Sequence, residues 1–206
     1  FVSESILYGT PKVFDFARKC DSKLIYSASS SKFGNNGTDE NLSPYSWMKS
    51  KMVELLKNYN LWFDLDFEIS YFFNVYGPHL DPSGPYALVI GRFLALAKEG
   101  KPLTITGDGE QTRDFTHVSD VVEAVTLAAT KAEVGNGEVF NVGAGHQTSV
   151  NDLAKMISDK VEYVEARHEP KHTMADITKT KEVLGWQPKT ELADGVAVLK
   201  DEWGLS

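Results

Sequence analysis

The sequence predicts an α/β fold, with a parallel sheet covered by helices over residues 1–78 and a second α/β portion, built of smaller elements, over residues 79–206. Three observations predict it. Two β-type runs, 23–27 and 67–75, are separated by a long helical pattern that opens on Ser43 and Pro44, and the order strand, helix, strand implies parallel pairing. Residues 77–85 are crowded with Gly, Pro, Asp and Ser, the composition of a boundary. Beyond them the elements become shorter and mixed, as expected of a second portion.

Each element has its own signal. Thr10 and Pro11 mark the N-cap and first position of a helix over 13–18, and the strand 23–27 follows it. Ser43 and Pro44 introduce a helix from 45 to about 62, and the run 67–75 is ended by Tyr76-Gly77-Pro78. In the second portion helices are expected near 87–98, 119–132, 177–184 and 192–203, with strands near 103–106, 138–142 and 161–165. A further helix begins at Ser149, a cap supported by Asp152 three residues on. There is no internal repeat and no low-complexity segment.

Composition narrows the function classes. A chain of 206 residues, 42% hydrophobic and 24% charged, can bury a substantial core. Its net charge of −8, with Lys and Arg scattered along the chain, argues against a nucleic-acid partner. The apolar run 87–97 is too short for a membrane span and carries Arg92, so it reads as a core helix. No basic segment followed by an apolar stretch opens the chain at Phe1, and a single cysteine, Cys20, excludes an internal disulfide framework. Both observations point to a cytoplasmic location, with Cys20 expected as a small buried apolar residue. His168 and His172 are the only histidines at helical i, i+4 spacing, and Pro170 between them leaves no metal site to expect.

Tyr45 and Lys49 lie four apart, so a helix projects both from one face. An ammonium near a phenol favours the phenolate and makes tyrosine usable as a general base. Spacing alone leaves open an ordinary exposed helix face, and Tyr8 with Lys12 shows the same spacing. Position is more informative. The run Ser27-Ala28-Ser29-Ser30-Ser31-Lys32-Phe33-Gly34 leaves the first strand at its carboxyl end, where parallel α/β sheets gather ligands. Serine clusters are commonly turn formers, but here strand, serine cluster, Tyr-x-x-x-Lys helix and second strand come in one order.

In that order the chain resembles the extended short-chain dehydrogenases, in particular the sugar-nucleotide epimerases. The resemblance rests on residues 26–34, on Ser43-Pro44-Tyr45 through Lys49, and on residues 72–78, Phe-Phe-Asn-Val-Tyr-Gly-Pro. It continues through residues 107–115, Gly-Asp-Gly-Glu-Gln-Thr-Arg-Asp-Phe, then Phe140-Asn141-Val142-Gly143 and Leu184-Gly185-Trp186-Gln187-Pro188. It implies that residues 1–78 form the C-terminal part of a doubly wound, Rossmann-type NAD-binding sheet. Residues 79–206 would then be mainly the sugar-nucleotide-binding portion, with some elements returning to the sheet.

The resemblance also implies roles. Tyr45 is the catalytic base, Lys49 its partner and a ligand of the nicotinamide ribose, and Ser29 the hydroxyl that binds the reacting sugar oxygen. Ser27 and Phe73 join Tyr45 and Lys49 around NAD. Asn74 and Arg113 hold the diphosphate, to which a guanidinium fork is suited, and Arg167 and Glu169 reach the diphosphate and the nucleoside ribose. The implied reaction is NAD-dependent epimerisation of a UDP-linked hexose at C4 through a transient keto sugar, with a homodimer formed through the Tyr45 helix and its predecessor. Related 4,6-dehydratases carry an acidic pair where Ser30 and Ser31 stand, which favours epimerase over dehydratase. A non-catalytic sugar-nucleotide-binding chain is the competing class.

Departures from the family pattern exist. Tyr71 stands three residues before Asn74, where the family usually has arginine, and Ser5 and Ile6 replace an asparagine before Tyr8-Gly9-Thr10. No G-x-G-x-x-G opens the chain, as expected if roughly a hundred residues precede Phe1 in a typical extended enzyme. Gly143-Ala144-Gly145 after the strand 138–142 imitates a dinucleotide loop, with Glu162 and Glu165 near the distance of a ribose-binding acid. Thr148 stands where Gly or Ala is wanted, so a simple turn is expected there.

Overall fold

The computed structural model describes residues 3–33, 43–84, 87–166 and 170–205. Along the chain lie α1 (Thr10–Lys19), β1 (Leu24–Ser29), α2 (Pro44–Phe63), β2 (Phe67–Phe72), β3 (Val75–Tyr76), α3 (Val89–Lys98), β4 (Leu103–Thr106), β5 (Thr112–Arg113) and β6 (Thr116–His117). They continue as α4 (Val118–Thr130), β7 (Glu138–Val142), β8 (Thr148–Ser149), α5 (Val150–Ile157), β9 (Val161–Val164), α6 (Thr178–Leu184) and α7 (Leu192–Trp203). Two compact units result, one of residues 1–72, 122–142 and 176–187, the other of 73–121, 143–175 and 188–206. Among the described residues no helix is long and apolar enough to cross a membrane.

The first unit is built on a parallel sheet of order β1-β2-β7. All but the last residue of β2 are buried, as a central parallel strand requires. Two of them, Glu68 and Ser70, are nevertheless polar, and the Ser70 hydroxyl donates to Glu68 Oε1 at 2.7 Å. Burial pushes the Glu68 carboxyl up to about 7, against smaller opposing effects from Ser70 and from Lys23. A carboxyl that holds its proton more tightly folded than unfolded makes stability fall as pH rises between the two values, from about 4.5 to about 7. The stability advantage of Glu68→Gln over the wild type, measured by urea unfolding at pH 4.5 and pH 8, is therefore expected to grow by up to about 3 kcal/mol. A difference independent of pH would remove this account of Glu68.

Helix α2 begins where Ser43 and Pro44 place it. Ser43 is extended, its hydroxyl accepts from the Ser46 amide at 3.1 Å, and Pro44 takes the first turn, where a missing N–H is harmless. Left-handed Asp64 closes the helix after Phe63. Around α1 two expectations fail. Thr10 is not an N-cap: a π-helical stretch, Glu4–Gly9, runs straight into α1, and the Thr10 amide bonds back to Ser5 O. Such a widened turn is a known way for a helix to absorb an irregularity, and Pro11 sits two residues after it. Cys20 is exposed rather than buried, because it ends α1 just before the turn at left-handed Asp21.

The second unit centres on Phe93, Leu94, Leu103, Ile105, Leu153 and Val196, contributed by α3, β4, α5 and α7. Helix α5 has only eight residues, too few to be stable alone, and burial of Val150, Leu153, Ala154 and Ile157 holds it in place. Ser149 caps it by accepting from the Asp152 amide at 3.0 Å. The run 67–75 proves discontinuous: β2 stops at Phe72, Asn74 takes a left-handed φ of 32°, and β3 pairs in parallel with β6.

Candidate active site

In the first unit, β1 carries Ser27 and Ser29 to its carboxyl end, and the chain turns through a short 3₁₀ segment, Ser30–Phe33. The Ser29 and Ser31 hydroxyls lie 2.9 Å apart, and the Ser31 amide donates to Ser29 Oγ at 3.3 Å. Tyr45 is half-buried in the first turn of α2, one turn before Lys49. Lys49 Nζ donates to the Ser27 carbonyl at 2.7 Å and lies 5.0 Å from the Tyr26 ring centroid. Carbonyl and ring face together compensate an ammonium whose proton affinity burial lowers. The two helical side chains and the end of β1 are thereby brought into one cluster. Tyr8, the other tyrosine of the same spacing, is 69% exposed on the π-helical stretch.

In the second unit, Asn74 and Arg113 line a single cavity of about 270 Å³ together with Arg92, Thr104, Thr106 and Gln111. Arg113 lies on β5, paired antiparallel with β8, and its guanidinium donates to the carbonyls of Thr112 at 2.9 Å and Lys171 at 3.4 Å. Asn74 Nδ2 donates to the Asp114 carbonyl at 2.9 Å. Two guanidiniums and two carboxamides beside one cavity, with no carboxylate among its described lining residues, suit a doubly charged anion such as a diphosphate. Arg92 escaped notice as a site residue because it reads as one charged interruption of an apolar helix; its position four residues into α3 was the available signal.

Asp114 explains the Gly143 segment. Its carboxylate is fully buried and accepts from the amides of Ala144 at 2.6 Å, Gly145 at 3.0 Å and Ala175 at 3.0 Å. Burial raises its proton affinity and outweighs the lowering by those three amides. The amides that could have cradled a pyrophosphate therefore hold an internal carboxylate. A Cβ on Gly143 would collide with the Ala175 methyl, which leaves glycine as the residue that fits. Phe73 opens the second unit and is 3% exposed. Arg167 and Glu169 lie outside the described residues. His172 Nδ1 is 3.0 Å from the Thr112 hydroxyl, and no cluster of three or more metal-type ligands exists among the described residues.

A parallel sheet with serines at a strand's carboxyl end, beside a Tyr-x-x-x-Lys helix, gathers hydroxyls, a phenol and an ammonium where parallel α/β sheets bind their ligands. The model of the NAD dependent epimerase/dehydratase family matches residues 3–143, and the chain belongs to that family. Among its relatives is an uncharacterized UDP-glucose epimerase, YtcB, of Bacillus subtilis, 35% identical over 179 residues, covering 84% of this chain and 55% of that protein. Another is a UDP-N-acetyl-alpha-D-glucosaminuronate decarboxylase of Bacillus cytotoxicus, 32% identical over 214 residues, covering 91% of this chain and 65% of that protein. The chain thus spans between half and two thirds of the length of these relatives. A solved UDP-glucuronic acid 4-epimerase from Bacillus cereus, in complex with UDP-glucuronic acid and NAD, superposes with a TM-score of 0.85 at 30% identity. It covers 99% of this chain, which in turn covers 68% of that structure.

Proposed function

We propose that the full-length protein is an NAD-dependent epimerase acting at C4 of a UDP-linked hexose. The observation that carries this is Lys49, fixed on the Ser27 carbonyl at the end of β1, one helical turn from Tyr45 and beside the Ser29 loop. The C4 position and the UDP-linked substrate are supported by the Bacillus cereus 4-epimerase, and NAD by the same structure and by the family.

The residues fit the nicotinamide end of the cofactor, since a half-buried ammonium with a fixed direction can bind a ribose hydroxyl. When bound, NAD supplies a place for a hydride to go to and return from. The chain's own residues do the rest. Ser29 orients the sugar oxygen by its hydroxyl, Tyr45 takes the proton from that oxygen as carbon is oxidised to the ketone, and Tyr45 returns it when the carbon is reduced from the other face. Ser27 fixes Lys49 through its carbonyl, and Phe73 borders the nicotinamide. Asn74 and Arg113, with Arg167 and Glu169, hold the nucleoside diphosphate so that the sugar can turn over without escaping.

A homodimer through α1 and α2 is part of this reading. Val13, Phe16, Trp47 and Leu61 on those helices are exposed, and burying such side chains is worth about 1.5–3 kcal/mol each. A monomeric mass for the full-length protein at micromolar concentration would remove it. A decarboxylating outcome is the second reading, favoured by the Bacillus cytotoxicus relative. Chromatography of UDP-glucose and UDP-glucuronate after incubation with the full-length protein and NAD separates the two. The 4-epimer of either substrate is expected; release of CO₂ and a UDP-pentose would replace the epimerase reading by the decarboxylase.

A further inference from the structure

The Ser30–Phe33 segment is a single 3₁₀ turn, and among the described residues the hydrogen bonds of Ser29 Oγ are to Ser31, inside the same loop. A turn of this kind has poor internal hydrogen-bond geometry and does not fix itself against a sheet. Two of its side chains reach outward to one group. Lys32 Nζ donates to the Tyr71 hydroxyl at 2.9 Å, and the Phe33 ring packs against the Tyr71 ring with centroids 5.2 Å apart. Tyr71 is 3% exposed on central strand β2, in register with Ala28, the residue before Ser29. The phenol is therefore anchored in the most constrained part of the sheet, and the loop is tied to it.

We propose that Tyr71, gripped by Lys32 and Phe33, is a positioning residue that sets the Ser29 hydroxyl in place for the sugar oxygen. The proposal rests on the epimerase reading for the role of Ser29. An apolar side chain on β2 would fill the same space without drawing an ammonium out of water, so the Lys32–Tyr71 pair contributes direction rather than packing. The pair also belongs to the catalytic neighbourhood. Tyr26, on the same face of β1, has its phenol pushed above the ordinary range by burial and then by the proximity of Tyr45 and Tyr71.

The test uses the full-length protein with Lys32→Met, Tyr71→Phe, the double variant, and Lys32→Arg as the conservative control. Each single variant is expected to lose about tenfold in kcat through misplacement of the reacting group, with KM for the sugar nucleotide unchanged. The double variant should be no slower than either single one, and Lys32→Arg should recover most of the rate. Backbone amides of residues 30–33 should exchange hydrogen faster in both single variants while the unfolding midpoint stays in place. Multiplying losses in the double variant, a rise in KM alone, or an unchanged kcat would overturn the proposal, whatever the exchange shows. If the wild type turns over no UDP-hexose, the role of Ser29 falls and exchange alone decides: acceleration supports the clamp, and unchanged exchange overturns it.

Discussion

Tyr45→Phe in the full-length protein is expected to lower turnover by about 10²- to 10⁴-fold, the usual contribution of a positioned acid–base group, while leaving sugar-nucleotide affinity nearly unchanged. The substitution keeps the ring, which is half-buried in the first turn of α2, and deletes one hydroxyl. Ser43 caps the helix through the Ser46 amide and Pro44 starts it, so the start of the helix is fixed independently of the phenol. Steady-state epimerisation at fixed pH, paired with calorimetric titration of UDP-hexose, checks both halves. Tyr8→Phe is the matched control, since Tyr8 shares the four-residue spacing to a lysine but lies exposed on the π-helical stretch. Normal turnover by Tyr45→Phe, or failure of Tyr8→Phe, would withdraw the assignment.

The second large effect is expected at the cavity of the second unit. Arg113→Ala should raise the dissociation constant for UDP by about tenfold to about 150-fold, equivalent to about 1.5–3 kcal/mol for a hydrogen bond to a charged group. The guanidinium is already held by the Thr112 and Lys171 carbonyls, so little side-chain freedom remains to be lost on binding. Arg113→Lys keeps the charge without the fork and should fall between the two. Calorimetry with UDP alone reads this without reference to turnover, and an unchanged constant would take Arg113 out of the site.

How much of this was legible in the sequence depended on distance along the chain. The serine loop and the Tyr45 helix are contiguous, each element carries its own start signal, and the order of the motifs is readable by eye. The cavity around Asn74 and Arg113 is different. It depends on β3, β5, β6 and β8, strands of two residues each, too short for any periodicity to register. It also depends on Asp114, whose partners Ala144, Gly145 and Ala175 lie 30, 31 and 61 residues away. Local signals misled where the chain overrode them. Thr10 and Pro11 look like a helix start but lie inside a longer helical stretch, and Cys20 looks like core but falls at a helix end. Glu68 could not have been picked out, since a charged residue on a central parallel strand runs against the pattern that identifies such a strand.

The central claim is that carbon four is oxidised and reduced again within one binding event. Incubating the full-length protein and NAD with UDP-glucose deuterated at C4, and following the sugar by NMR, tests it directly. The account predicts UDP-galactose that keeps deuterium at C4, formed with no accumulation of NADH. Wash-out of the label into solvent, stoichiometric NADH, or loss of water or CO₂ from the sugar would contradict it.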